Sequence, residues 1–134
     1  RALFFLNASS GMPMAFVQAL KAMDYEPIPL SGPADVKVVD LAIQRTLQAL
    51  DARDADLMLV SHDGDFLTDM ERLLDSDRRV GVVAFSEFRN AGFAALESRG
   101  LHAFDLEYAV GAFNTRLPRL RVIPIEEFDP AAYL

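Results

Sequence analysis

At 134 residues, 51% hydrophobic and 25% charged, the chain is long enough for one domain with a core of its own. It has no cysteine, which excludes disulfides, thiolate-held zinc and a thiol nucleophile, and two histidines, His62 and His102, are too few for a histidine metal cluster. No apolar run approaches the roughly 20 residues that span a bilayer and no signal peptide is visible, so a cytoplasmic protein without a membrane partner is expected. The formal charge of −7 argues against a nucleic-acid partner unless clustered carboxylates hold cations.

Residues 2–6 (Ala-Leu-Phe-Phe-Leu) are a short continuous apolar run, as in a strand buried within a parallel sheet. A loop follows, with Gly11 and Pro13 as breakers. Residues 14–23 set Phe16, Val17, Leu20 and Met23 on one helical face. Residues 26–30 make a poor strand, interrupted by Pro27 and Pro29, and fit an edge or an extended segment. Residues 36–50 are a helix with a buried stripe of Val36, Val39, Ile43, Leu47 and Leu50, opposite Lys37, Asp40, Gln44 and Gln48. Asp40 is therefore expected to be exposed near the first turn, where a carboxylate also complements the helix dipole without any further role.

The chain is organised around what comes next. A buried strand, Leu57 to Val60, ends abruptly in Ser61-His62-Asp63-Gly64-Asp65, and a helix over 66–74 turns Phe66, Met70, Leu73 and Leu74 inward. Open α/β sheets build their sites outside the carboxyl ends of their strands. Two carboxylates one residue apart at such a place form a hard, oxygen-rich, anionic concavity suited to Mg²⁺ or Mn²⁺. The same triplet is also ordinary turn chemistry, since Asp and Gly are selected in turns for local reasons. Asp69 and Glu71 read as the solvated face of the helix.

Residues 79–85 form another apolar strand, 91–99 a helix closed by Gly100 as its C-cap, and 101–106 a last short strand. His102, on that apolar strand, reads as structural, whereas Asp105 and Glu107 at its end could border the site. Beyond Glu107 the pattern fades. Residues 1–110 are thus expected to form the domain and 111–134 a tail or arm packed on it, in which Arg116, Arg119 and Arg121 could bind a nucleic-acid backbone or simply keep the tail solvated. Alternating strands and helices with short connections point to a three-layer α/β/α fold, with a central, mainly parallel sheet and an acidic site at the C-terminal ends of its strands. Right-handed crossovers would let the loop after Leu6, the start of the 36–50 helix and Asp63/Asp65 converge.

Lys37-Val38-Val39-Asp40, then Asp56-Leu57-Met58-Leu59-Val60-Ser61-His62-Asp63-Gly64-Asp65-Phe66 and Arg79-Val80-Gly81-Val82-Val83, resemble the NYN domain of the PIN-like nuclease superfamily. The likeness runs from about Ala2 to about Glu107. It implies a metal-dependent endoribonuclease acting on RNA, with Asp40, Asp63 and Asp65 as the catalytic carboxylates that hold Mg²⁺ or Mn²⁺. Lys37 matches the family's basic residue, which would bind a backbone phosphate, and Ser61 its small hydroxyl residue. His62 and Val38 replace glycines, which alters loop geometry but deletes no ligand. With an unperturbed pKa near neutrality, His62 could carry a proton beside the metal, or it could merely fill a glycine's place in the loop.

The family's first strand ends in an Asp, with an Asn shortly after it. Residues 2–6 can be read as the second strand, with the acid-bearing strand upstream of Arg1, or Asn7 can stand in the acid's place. An amide supplies neither the charge nor the base. The first alignment is preferred on spacing, and a second copy or an upstream segment is then expected to complete the sheet. The alternative function is a catalytically impaired domain that binds RNA or a protein partner. A magnesium phosphotransfer domain of the same topology is a third, since fold alone does not fix chemistry.

Overall fold

The computed structural model describes residues 1–117 and 123–133, so that Arg119 and Arg121 of the basic cluster lie outside the described residues. Strand β1 (Ala2–Asn7) leads through helix α1 (Met14–Ala22) to β2 (Tyr25–Leu30), which pairs with β1 in parallel from Ala2↔Tyr25 to Asn7↔Leu30. The two prolines do not prevent strand formation, because among the described residues β2 pairs with β1 alone and a proline can face the unpaired side of an edge strand. Asp24 makes the sharp exit from α1 with a positive φ of 61°, a conformation Asp tolerates better than most residues.

Helix α2 (Val38–Ala49) begins two residues later than the apolar stripe suggested, with Lys37 as its N-cap residue, and tightens into a 3-10 turn at Leu50–Ala52. Strand β3 (Leu57–Val60) follows, then a 3-10 turn (Gly64–Phe66), α3 (Leu67–Leu74), β4 (Val80–Ala84), α4 (Gly92–Glu97) and β5 (His102–Asp105). Strands β3, β4 and β5 pair in parallel, in that order. Gly100 closes α4 as expected, with φ of 109° and the Leu101 N–H donating back to the Leu96 carbonyl at 3.0 Å.

The fold is mixed α/β, with helices joining parallel strands. Among the described residues the strands form two ladders, β1–β2 and β3–β4–β5, where one continuous sheet was expected. Helix α2 ties them together by touching both β1 and α3. The core lies on one face of the second ladder, where Leu59, Val80 and Val82 meet Leu47 of α2, Met70 and Leu73 of α3, and Phe93 and Leu96 of α4. Strand alternation sends Met58 and Val60 to the opposite face, where they are 51% and 67% exposed. The expectation of a strand buried on both faces is therefore corrected: Leu59 is the buried residue of β3 and its neighbours alternate. Asp69 is a second correction. It is only 9% exposed, because Arg72 folds over it at 3.0 Å while also pairing with Asp51. None of the described helices is long and apolar enough to cross a membrane.

Candidate metal centre

The loop after β3 is built by short-range hydrogen bonds that the residue order dictates. The Ser61 hydroxyl oxygen accepts from the Asp63 N–H at 3.1 Å, and the Asp63 carboxylate accepts from the Asp65 N–H at 2.9 Å. Asp63 thereby caps the 3-10 turn that leads into α3, the turn chemistry its sequence announces. A β-carbon at Gly64 would lie 2.5 Å from the side-chain nitrogen of Asn90, so a larger residue there would have to displace that side chain. Asn90 in turn donates its backbone N–H to the His62 carbonyl and accepts from the Gly92 N–H, joining this loop to the start of α4.

Helix α2 supplies the other half. Gln44 donates to the Asp65 carbonyl at 3.3 Å, docking the loop against the helix, and Asp40 sits in the first helical turn. The result brings carboxylate oxygens of Asp40, Asp63 and Asp65 within 4.8 Å of one another. Lys37 lies over them, its Nζ 3.1 Å from Asp65 and 3.6 Å from Asp40. The hydrogen bond and charge of Asp65, followed by the charges of Asp40 and Asp63, raise the pKa of the ammonium above its usual value. Asp40 is less open than its helical position suggested, its side chain being 26% exposed, whereas that of Asp65 is 52% exposed.

Like charges about 4 Å apart repel by roughly 1 kcal/mol in bulk water and roughly four times that at the effective dielectric near a protein surface. Three carboxylates against one ammonium leave two negative charges uncompensated within the cluster. Turn formation accounts for Asp63, and the helix dipole is a reason for Asp40 to be acidic. Neither accounts for bringing the two together from separate elements. Hard, anionic oxygen donors at this spacing are ones that Mg²⁺ or Mn²⁺ could use.

The remaining expected residues fall differently. Asn7 ends β1, and its side-chain oxygen accepts from the Ser9 N–H at 2.9 Å, closing a local turn. His62 is half-buried and is held by the neighbouring strand end: its Nε2 accepts from the Phe85 N–H at 2.9 Å, and its ring stacks on Phe85 with centroids 5.7 Å apart. Asp105 is a clamp for the chain after β5. Its carboxylate accepts from the Ser86 N–H and hydroxyl and from the N–H groups of Glu107 and Tyr108, which hold its pKa far below the usual carboxylate range. Glu107 is buried and accepts from the Leu117 N–H at 2.8 Å.

Gln44, Asn90 and Phe85, which fix the loop, were not singled out from the sequence. Gln44 was legible only as part of a polar helical face, and nothing in the local pattern around Asn90 or Phe85 signals contact with a loop more than twenty residues earlier. No family model, curated protein or solved structure matches the chain.

Proposed function

We propose that this chain is a divalent-metal-dependent endoribonuclease of the NYN, PIN-like kind, with Asp40, Asp63 and Asp65 as the metal-holding carboxylates. The observation that carries the reading is the convergence of the three carboxylates within 4.8 Å at the end of β3. A Mg²⁺ or Mn²⁺ ion bound there would neutralise charge on a phosphodiester and acidify a water molecule. Lys37 would exchange its carboxylate contacts for a backbone phosphate, and the Ser61 hydroxyl holds the Asp63 backbone in place. His62, with Nε2 committed to Phe85, fixes the loop and is not assigned a proton-transfer role in this reading.

The three-layer arrangement belongs to this proposal as well. A further strand, from a second copy or a preceding segment, would complete the sheet between β1 and β3, which share no ladder among the described residues. The second reading, an impaired domain that binds RNA or a protein without cutting, goes with the other alignment, in which Asn7 stands in the place of the family's acid and its amide supplies neither charge nor base.

The test is Mn²⁺-dependent cleavage of single-stranded RNA by the wild type and by Asp63→Asn and Asp65→Asn. Both substitutions keep side-chain size while removing ligand charge. Loss of cleavage with an unchanged circular dichroism spectrum is expected. Wild-type rates from a folded Asp63→Asn protein would remove the site assignment, and RNA binding without cleavage by the wild type would favour the second reading.

A further inference from the structure

Strand β3 leaves its neighbour β4 where the ladder would ordinarily run one step further. The Leu57 N–H donates to the Arg79 carbonyl at 2.9 Å and the Ser61 N–H to the Val83 carbonyl at 3.2 Å, in the even spacing of a parallel pair. By the same register the Phe85 N–H would meet the Ser61 carbonyl next. It donates instead to Nε2 of the His62 imidazole at 2.9 Å. The backbone has already turned away from β4, and the His62 carbonyl accepts from the Asn90 N–H at 3.1 Å. A backbone N–H can only donate, so the ring nitrogen facing it is the unprotonated one and Nδ1 carries the hydrogen. The ring also stacks on Phe85 and meets Phe88 edge-on at 6.3 Å, which makes packing the competing explanation for a histidine here.

We infer that His62 is a positioning residue for the metal centre. Its imidazole takes the place of a ladder carbonyl at the end of β3, so that the chain turns out of the sheet just before Asp63 while staying fixed to β4. The inference rests on the proposed metal centre. Asp63 and Asp65 must meet Asp40 from a separate element, so their loop has to be held from more than one side. Gln44 holds the Asp65 carbonyl from α2, Asn90 holds the His62 carbonyl from the segment before α4, and the His62 ring holds the loop to β4. Glycine at this position would offer no acceptor to the Phe85 N–H. Groups that orient metal ligands without touching the ion commonly set affinity by roughly 10–100-fold.

Two variants of the whole chain separate the acceptor from the packing. His62→Phe keeps a stacking ring and removes the acceptor, whereas His62→Gln removes the ring and keeps an acceptor oxygen at a reach like that of Nε2. Mn²⁺ affinity is measured by calorimetry, and hydrogen exchange of the Phe85 amide is followed on the metal-free protein. His62→Phe is expected to keep the wild-type circular dichroism spectrum, to bind Mn²⁺ on the order of tenfold more weakly, and to exchange its Phe85 amide faster. His62→Gln should recover most of the affinity and of the amide protection. Should His62→Phe not fold, His62→Ala against His62→Gln carries the same comparison. Wild-type affinity in His62→Phe, a Phe85 amide that stays protected in it, or a His62→Gln defect as large as that of His62→Phe would each overturn the inference. The two ideas fail separately. Absence of Mn²⁺ binding by the wild type removes the metal centre and the role of His62 with it, whereas binding that His62→Phe leaves unchanged keeps the metal centre and removes only the role of His62.

Discussion

Asp105 accepts four hydrogen bonds and spends its carboxylate on the chain that follows β5. Its pKa is depressed first by the Ser86 N–H, then by the Tyr108 N–H and the Ser86 hydroxyl. A carboxylate whose pKa is lower in the folded than in the unfolded state adds stability above the unfolded pKa, and that stability is lost as pH falls toward the folded value. Asp105→Ala should therefore melt lower than wild type at neutral pH, with the gap closing on acidification below the ordinary carboxylate range. Thermal melts across that range provide the measurement, and a gap that stays constant with pH would show that the carboxylate charge is not what matters. Sequence alone put Asp105 near the site but could not show this, because its partners include Ser86, nineteen residues away. Residue type and position at a strand end singled out Asp63 and Asp65, whereas position alone gave Asp40 a helix-dipole role and the family resemblance grouped it with them. Asp69 was misread for a related reason. Its helical position predicts solvent, but Arg72 one turn later covers it.

Among the elements, α2 and the turn after β3 carry the acids of the site. Helix α2 must sit so that its first turn reaches the β3 loop, and it is held there by Leu47, buried against the core, with Gln44 bonded to Asp65. Helix periodicity made α2 readable from sequence, whereas the delayed start at Val38 was not, since Val36 fits the same stripe. Strand β3 reads as uniformly apolar, and sequence gives no sign that Met58 and Val60 are exposed, because that depends on whether a layer covers the second face. Helix α4 packs through Phe93, which is fully buried beside Leu96. Phe93→Ala should cost about 3–5 kcal/mol, as large-to-small changes at fully buried aromatic positions do. Urea unfolding would measure this, and a cost under about 1 kcal/mol would mean that the α4 face is not part of the cooperative core.

At the scale of the molecule, the alternation of strands and helices placed the chain in the α/β class, and the parallel pairings of its strands agree with that class. The division into two ladders was beyond the sequence, since period and propensity say which segments are strands but not which strands are neighbours. A formal −7 argues against a polyanion when spread over a surface, but three carboxylates within 4.8 Å of one another make part of that charge a local property.

The central claim is that acids from two separate elements act as one metal centre, and Mn²⁺ binding measured by calorimetry on the wild type, Asp40→Asn, Asp63→Asn and Asp65→Asn tests it most directly. The account predicts one class of site, weakened in all three variants by at least the roughly tenfold that even an outer-shell change costs a metal site. Asp40→Asn is the decisive case, because a residue that served only the helix dipole would lose under about 1 kcal/mol of stability and leave the metal untouched. Wild-type Mn²⁺ affinity in a folded Asp40→Asn protein would contradict the account.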